Sequence, residues 1–165
     1  QERTGGFTEF VPLPFVAQEA PIYLKGRARP GPTFRETVLM HAVARIAFNG
    51  AIPNIQTSWV KLGQAGVAVC LSAGVNDLGG TLMNESITRA AGATHGQEAN
   101  PETLEAWVRL SGRIPLQRTT LYAAAPDDRI GASFAAPELT PPQTRPLGRS
   151  IRQANSGVIE PMPIS

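Results

Sequence analysis

From Asn76 to Glu98 the chain reads NDLGGTLMNESITRAAGATHGQE, and the second half of that stretch gathers side chains able to hold charge and move protons. Glu85 can accept hydrogen bonds from amino or hydroxyl groups, Asn84 and Ser86 can both donate and accept, and the His95 imidazole can donate or accept a proton. The same residues fit a plainer role, because ESITRAAG reads as a short helix that Glu85 or Ser86 would cap. Binding and capping are both open for Glu85. A connection of about fifteen residues with these side chains exceeds what a turn needs, which favours a functional loop.

Other candidates are isolated. Glu9 is the one charged residue in the apolar run FTEFVPLPF, where a buried carboxylate must be paired or hydrogen-bonded. Lys61 ends the strand read over 54–61 within NIQTSWVKL, and strand alternation would place Trp59 and Thr57 on its face, so Lys61 is a candidate anion-binding residue at a strand end. His41 lies mid-helix between Met40 and Ala42 and reads as a packed or surface histidine. Cys70, the single cysteine, sits in an apolar run and reads as a small buried hydrophobe. It excludes an internal disulfide and a cysteine-only metal site, and neither histidine belongs to an HxH or HExxH spacing, so no metal site is expected in this chain.

These side chains have to be positioned by one domain. The chain has 165 residues, 42% of them hydrophobic and 17% charged, enough for a real core and unlike a disordered polymer. Its net charge of +2 comes from interspersed Lys, Arg, Asp and Glu, without the basic stripe of a nucleic-acid footprint. No run approaches a membrane span and no signal peptide is apparent, so a cytoplasmic protein is expected. Beginning at Gln1 suggests processing or a fragment.

Strands and helices alternate. A strand is expected over 7–15, loop over 20–32, and a helix over 33–49 capped by Thr33 with Glu36, its apolar stripe formed by Val38, Leu39, Ala42, Val43 and Ile46. A second strand follows over 54–61, then an apolar helix over 63–74 closed by Gly74, then a third strand over 77–83. Asn100 before Pro101 starts another helix that runs to about Gly112, and PLQRTTLYAA reads as a last strand or extended segment. Residues 1–135 would form the domain and 136–165 a Pro-rich disordered tail. Three strands separated by helices imply a parallel sheet, and so few strands leave open edges. The fold class is therefore α/β, one arc of a larger (β/α) barrel, whose chemistry would collect on the loops after the strands.

Four blocks carry a resemblance: GFTEFVPLPF, EAPIYLKGRARPGPT, NIQTSWVKLG and the run from NDLGGTLMNESITRAAGA to HGQE. In this order they resemble the C-terminal module of the FO synthase family, radical S-adenosylmethionine (SAM) enzymes that make the deazaflavin chromophore. The resemblance spans roughly residues 5–125 and implies the last three strands of a radical SAM TIM-type barrel. It implies transfer of the hydroxybenzyl group of tyrosine to 5-amino-6-ribitylaminouracil, with S-adenosylmethionine and a 4Fe-4S cluster as cofactors. By position Lys61 resembles the basic residue at the barrel mouth of related enzymes. Glu9, Trp59, Lys61, Asn84, Glu85 and His95 are thus the candidate substrate- or cofactor-binding residues. The family's CxxxCxxC cluster motif is missing here, as are its glycine-rich cofactor segments, and Ala17 stands where the family usually has His. A partner supplying the missing N-terminal barrel half is implied, and the chain alone is expected to be inactive. The alternatives are a menaquinone-pathway relative, aminofutalosine synthase or the related cyclase, and a non-catalytic binding module; NESITRAAGA with HGQE favours the first reading.

Overall fold

The computed structural model describes residues 1–82, 85–93, 95, 96 and 98–137. Its sheet is small and parallel: β1 (Glu9–Phe10) pairs with β2 (Asn54–Ile55), and Gln56 continues the ladder to Asp77 through a parallel bridge. The expected strand order and direction are present, but the strands are much shorter than the spans 7–15, 54–61 and 77–83. Pro12 and Pro14 lack the N–H that would extend β1. After Gln56 the backbone turns, and the Ser58 carbonyl accepts from the N–H groups of Lys61 and Leu62, so Trp59 begins a helix instead of ending a strand. After Asp77 the carboxylate Oδ1 accepts from the Gly79 N–H at 2.6 Å, folding the chain into an Asx turn that ends the third strand at its first residue.

Two helices pack on one face of this sheet. In α2 (Phe34–Ala47) the Thr33 hydroxyl accepts from the Glu36 N–H at 3.2 Å while the Glu36 carboxylate accepts from the Thr33 N–H at 2.7 Å, the expected capping box. Those hydrogen bonds, the backbone one first, hold the Glu36 carboxyl below its ordinary range. In α3 (Trp59–Ser72) the helix breaks at Gly63, with φ 62° and ψ −178°, and resumes to an end where Val75 N–H reaches the Cys70 carbonyl and Gly74 N–H that of Leu71. That is a Schellman closure on Gly74, at φ 107°, as expected. One-turn α1 (Pro21–Leu24) lies within the segment read as loop, α4 (Ile87–Ala90) within the polar loop, and α5 (Pro101–Leu110) starts on the Asn100 cap. The helix α6 (Asp127–Phe134) has no counterpart in the sequence reading. The stretch read as a last strand or extended segment forms a tight hairpin over 117–125, bridged from Arg118 to Ala124.

The core joins Ile55, Trp59, Val60, Val67, Cys70, Leu71 and Val75 from β2 and α3 to Ala44 of α2 and Ala99 before α5. Phe10 packs on Phe48 with ring centroids 5.0 Å apart, and Trp59 meets Trp107 edge-on at 6.4 Å. One expectation inverts: α2 buries Thr37, His41 and Ala44, while Leu39, Val43 and Ile46 of its apolar stripe face outward. A helix pattern says which residues share a face, and only the neighbours decide which face is covered. The tail expected over 136–165 lies outside the described residues except for Ala136 and Pro137. The last residue of the expected third strand, Met83, lies outside them as well.

Candidate functional site

Two polar assemblies flank the sheet. The first is a cleft of about 470 Å³ beyond the C-terminal ends of β1 and β2, walled by Phe15, Tyr23 and Phe34, with Lys61 and His95 at its edge. Gly31 makes the wall possible, because a Cβ there would fall 1.9 Å from the Phe15 carbonyl oxygen. His95 reaches Lys61's side of the cleft by packing over Gly63, where a Cβ would sit 2.9 Å from its Nδ1. The structure thus brings Lys61 and His95 together from distant parts of the sequence. Among the described residues Lys61 forms no salt bridge, leaving an ammonium free to meet an anion in a cleft with aromatic walls.

The remaining candidates are placed differently. Trp59 is 3% exposed, and its indole N–H donates to the Gly80 carbonyl at 3.1 Å, so it anchors the loop from beneath. Both oxygens of Glu85 accept from the Thr88 N–H, at 2.9 and 3.1 Å, which caps α4. Asn84 lies outside the described residues. Glu9 belongs to the second assembly. Alternation along the strands puts Glu9, Asn54, Gln56 and Asp77 on the sheet face opposite Phe10 and Ile55. The 117–125 hairpin lies against that face.

There the Arg118 Nε–H donates to Asp77 Oδ2 at 2.5 Å, and Arg118 Nη2 stands 3.8 Å from Glu9 Oε2. The guanidinium carbon sits 4.0 Å over the Tyr122 ring, and the Tyr122 hydroxyl donates to Glu9 Oε2 at 2.5 Å. Tyr122 holds φ 64°, uncommon for a residue with a side chain, to make this reach. Burial opposes the Arg118 charge, but the hydrogen bond and charge of Asp77 outweigh it and raise its pKa. Burial and the Glu9 hydrogen bond hold the Tyr122 phenol well above its ordinary value. The sequence reading missed Asp77, Arg118 and Tyr122; the one available signal was Asp before Leu-Gly-Gly, an Asx-turn signature.

The residues do not fit an iron-sulfur cluster. Cys70 is fully buried, its Sγ 4.0 Å from His41 Nδ1, and burial pushes the thiol up against a partial opposing effect of the Thr57 hydroxyl. Among the described residues no group of three His, Cys, Asp or Glu side chains could hold a metal. Among them, too, no helix is long and apolar enough to cross a membrane.

A mixed α/β module with a parallel sheet, helices on one face and a polar cleft past the strand ends defines the class of protein. Residues 4–129 match the family described as CofH/MqnC C-terminal region, and the chain belongs to that family. It is 59% identical over 122 residues to the 5-amino-6-(D-ribitylamino)uracil--L-tyrosine 4-hydroxyphenyl transferase of Methanopyrus kandleri, covering 74% of this chain and 33% of that protein. It is 51% identical over 145 residues to the FO synthase of Streptomyces avermitilis, covering 86% of this chain and 17% of that one. With the FO synthase of Mycobacterium tuberculosis the identity is 57% over 123 residues, 74% of this chain and 14% of the other. The chain therefore spans a third or less of the curated relatives it matches. No solved structure matches it.

Proposed function

We propose that this chain is the C-terminal portion of a cytoplasmic radical SAM transferase of the FO synthase type, contributing the closing arc of its (β/α) barrel. The whole enzyme would transfer the hydroxybenzyl group of tyrosine to 5-amino-6-ribitylaminouracil in deazaflavin coenzyme biosynthesis. The observation that carries this is the 59% identity over 122 residues to a protein named for a transfer between those two compounds. S-adenosylmethionine and a 4Fe-4S cluster would supply the radical and fall to the part of the enzyme this chain does not span. Residues 1–135 would be the enzyme module and 136–165 a separate tail. The relatives named do not favour the menaquinone-pathway alternative.

Within this reading the chain binds and orients substrate. Lys61, free of any salt bridge in the described structure, meets a carboxylate such as that of tyrosine, whose ring the aromatic cleft walls accept. His95 holds or moves a proton at the same edge. Asn84 and Glu85 present the polar loop to amino and ribityl groups, while Glu9 and Trp59 support binding from the sheet and from beneath the loop. The test uses the longer enzyme containing this chain. Lys61→Met should raise KM for tyrosine roughly ten- to a hundredfold, the loss of one charged hydrogen bond of about 1.5–3 kcal/mol, without changing adenosyl cleavage. Glu85→Gln should lower transfer while the melting temperature holds. Unchanged KM and transfer in both variants would remove the cleft and loop from substrate binding.

A further inference from the structure

The sheet face that carries Glu9, Asn54, Gln56 and Asp77 is polar, and most of its side chains have partners inside the chain. Glu9 accepts from Tyr122 and Asp77 from Arg118, both on the strap formed by residues 113–125, and Asn54 Nδ2 donates to the Thr8 carbonyl at 2.8 Å. Gln56 is the exception. It is half-buried at the last rung of the ladder, next to Asp77, yet among the described residues its side-chain amide makes no hydrogen bond. A partly desolvated amide without a partner in the fold takes one from outside it, a water or a ligand. The neighbouring strand end is shaped around this amide. Gly79 takes φ 75°, and a Cβ there would lie 2.6 Å from Gln56 Nε2 and 3.2 Å from its Cδ, so the amide lies against bare backbone. Gly80 has open space where a side chain would stand, and the Trp59 indole N–H ties down its carbonyl. With Asp77 Oδ1 on the Gly79 N–H, the turn is fixed at both glycines while the amide stays partly exposed, at the strand ends where (β/α) folds put their chemistry.

We propose that Gln56 reads the imide edge of the aminouracil acceptor and so selects a pyrimidinedione ring. Such a ring presents carbonyl, N–H and carbonyl in a row along C2, N3 and C4, and a side-chain amide offers one donor and one acceptor side by side, so the two make a pair of hydrogen bonds. Because the edge has an acceptor on each side of its donor, the amide matches it in either orientation. Tyrosine has no edge of this kind; its carboxylate suits the Lys61 ammonium and its phenol needs only a single partner. The opposite side of the uracil ring carries the amino and ribitylamino groups, assigned above to Asn84 and Glu85, and those residues lie on the loop that Gly79 and Gly80 begin. The inference rests on the function proposed above and adds the residue that recognises the acceptor ring.

Gln56→Met in the longer enzyme containing this chain keeps the side chain's length and removes its amide. Equilibrium dialysis of 5-amino-6-ribitylaminouracil should give a Kd about ten- to a hundredfold above wild type, the worth of two neutral hydrogen bonds. The KM for tyrosine, the cleavage of S-adenosylmethionine and the melting temperature should not change. The N3-methyl analogue of the aminouracil lacks the central donor and should bind the wild type correspondingly less well, whereas Gln56→Ala, with room for that methyl group, should bind the two compounds alike. A lowered melting temperature with an unchanged Kd would overturn the assignment, since Gln56 would then serve the fold. A raised KM for S-adenosylmethionine in place of the aminouracil effect would overturn it as well, because the amide would be reading an adenine edge. Discrimination that persists in Gln56→Ala would put the imide contact on another residue. If the wild-type longer enzyme neither binds nor converts the aminouracil, the proposed function fails and this assignment with it; if it converts the aminouracil and Gln56→Met binds it equally well, only this assignment fails.

Discussion

Asp77→Asn is the sharpest probe of the latch between sheet and strap. The Asp77 side chain is 6% exposed and does two jobs: Oδ1 receives the Gly79 N–H at 2.6 Å and Oδ2 the Arg118 Nε–H at 2.5 Å. Asparagine preserves the first through its amide oxygen but turns an NH2 toward another donor at Arg118. Losing a hydrogen bond between charged groups costs about 1.5–3 kcal/mol. The lower part of that range applies, because Arg118 is 28% exposed and Glu9, 3.8 Å away, can take over part of the pairing. About 1.5–2 kcal/mol corresponds to a fall of roughly 5–8 °C in melting temperature for a domain of this size. Urea and thermal unfolding of Asp77→Asn, Arg118→Met and the double variant would give the coupling directly, expected at about 1 kcal/mol or more. A single-variant loss below about 0.5 kcal/mol, or simple additivity, would show that the latch contributes nothing and that the strap is held by its backbone alone.

The Tyr122 phenol, raised by burial and by Glu9, keeps its proton in the folded state at pH values where the unfolded chain would release it. Its contribution is therefore complete below the ordinary phenol value of 10.0 and declines as pH rises above it, so Tyr122→Phe should flatten the alkaline fall in stability measured by urea unfolding. Gly31→Ala should destabilise the chain by about 1–3 kcal/mol in thermal unfolding, because the new Cβ would stand 1.9 Å from the Phe15 carbonyl oxygen and backbone must move to admit it. An unshifted melting temperature there would mean that the 30–32 segment does not press on β1's continuation.

What the sequence determined by itself was local. Thr33 with Glu36, Asn100 with Pro101, and Gly74 mark helix ends through bonds made within a few residues, so they were legible and stand in the fold. The order of the three strands was legible as well, because apolar runs separated by a helix leave few alternatives to a parallel sheet. Strand length was not: pairing stops where Pro12, Ser58 and the Asp77 turn intervene, and the same apolar pattern of residues 54–61 serves a strand or a helical turn. Tertiary structure alone decided that α2 turns Thr37, His41 and Ala44 inward, since burial depends on which neighbour is present and not on which stripe is most apolar. It alone joined Glu9 to Tyr122 across 113 positions and Asp77 to Arg118 across 41, because a charged latch has no periodicity and no fixed spacing to announce it. The cleft at Lys61 and His95 belongs to the same class: each residue was visible as chemistry, and only the kink at Gly63 with His95 packed over it put both on the lining of one cleft.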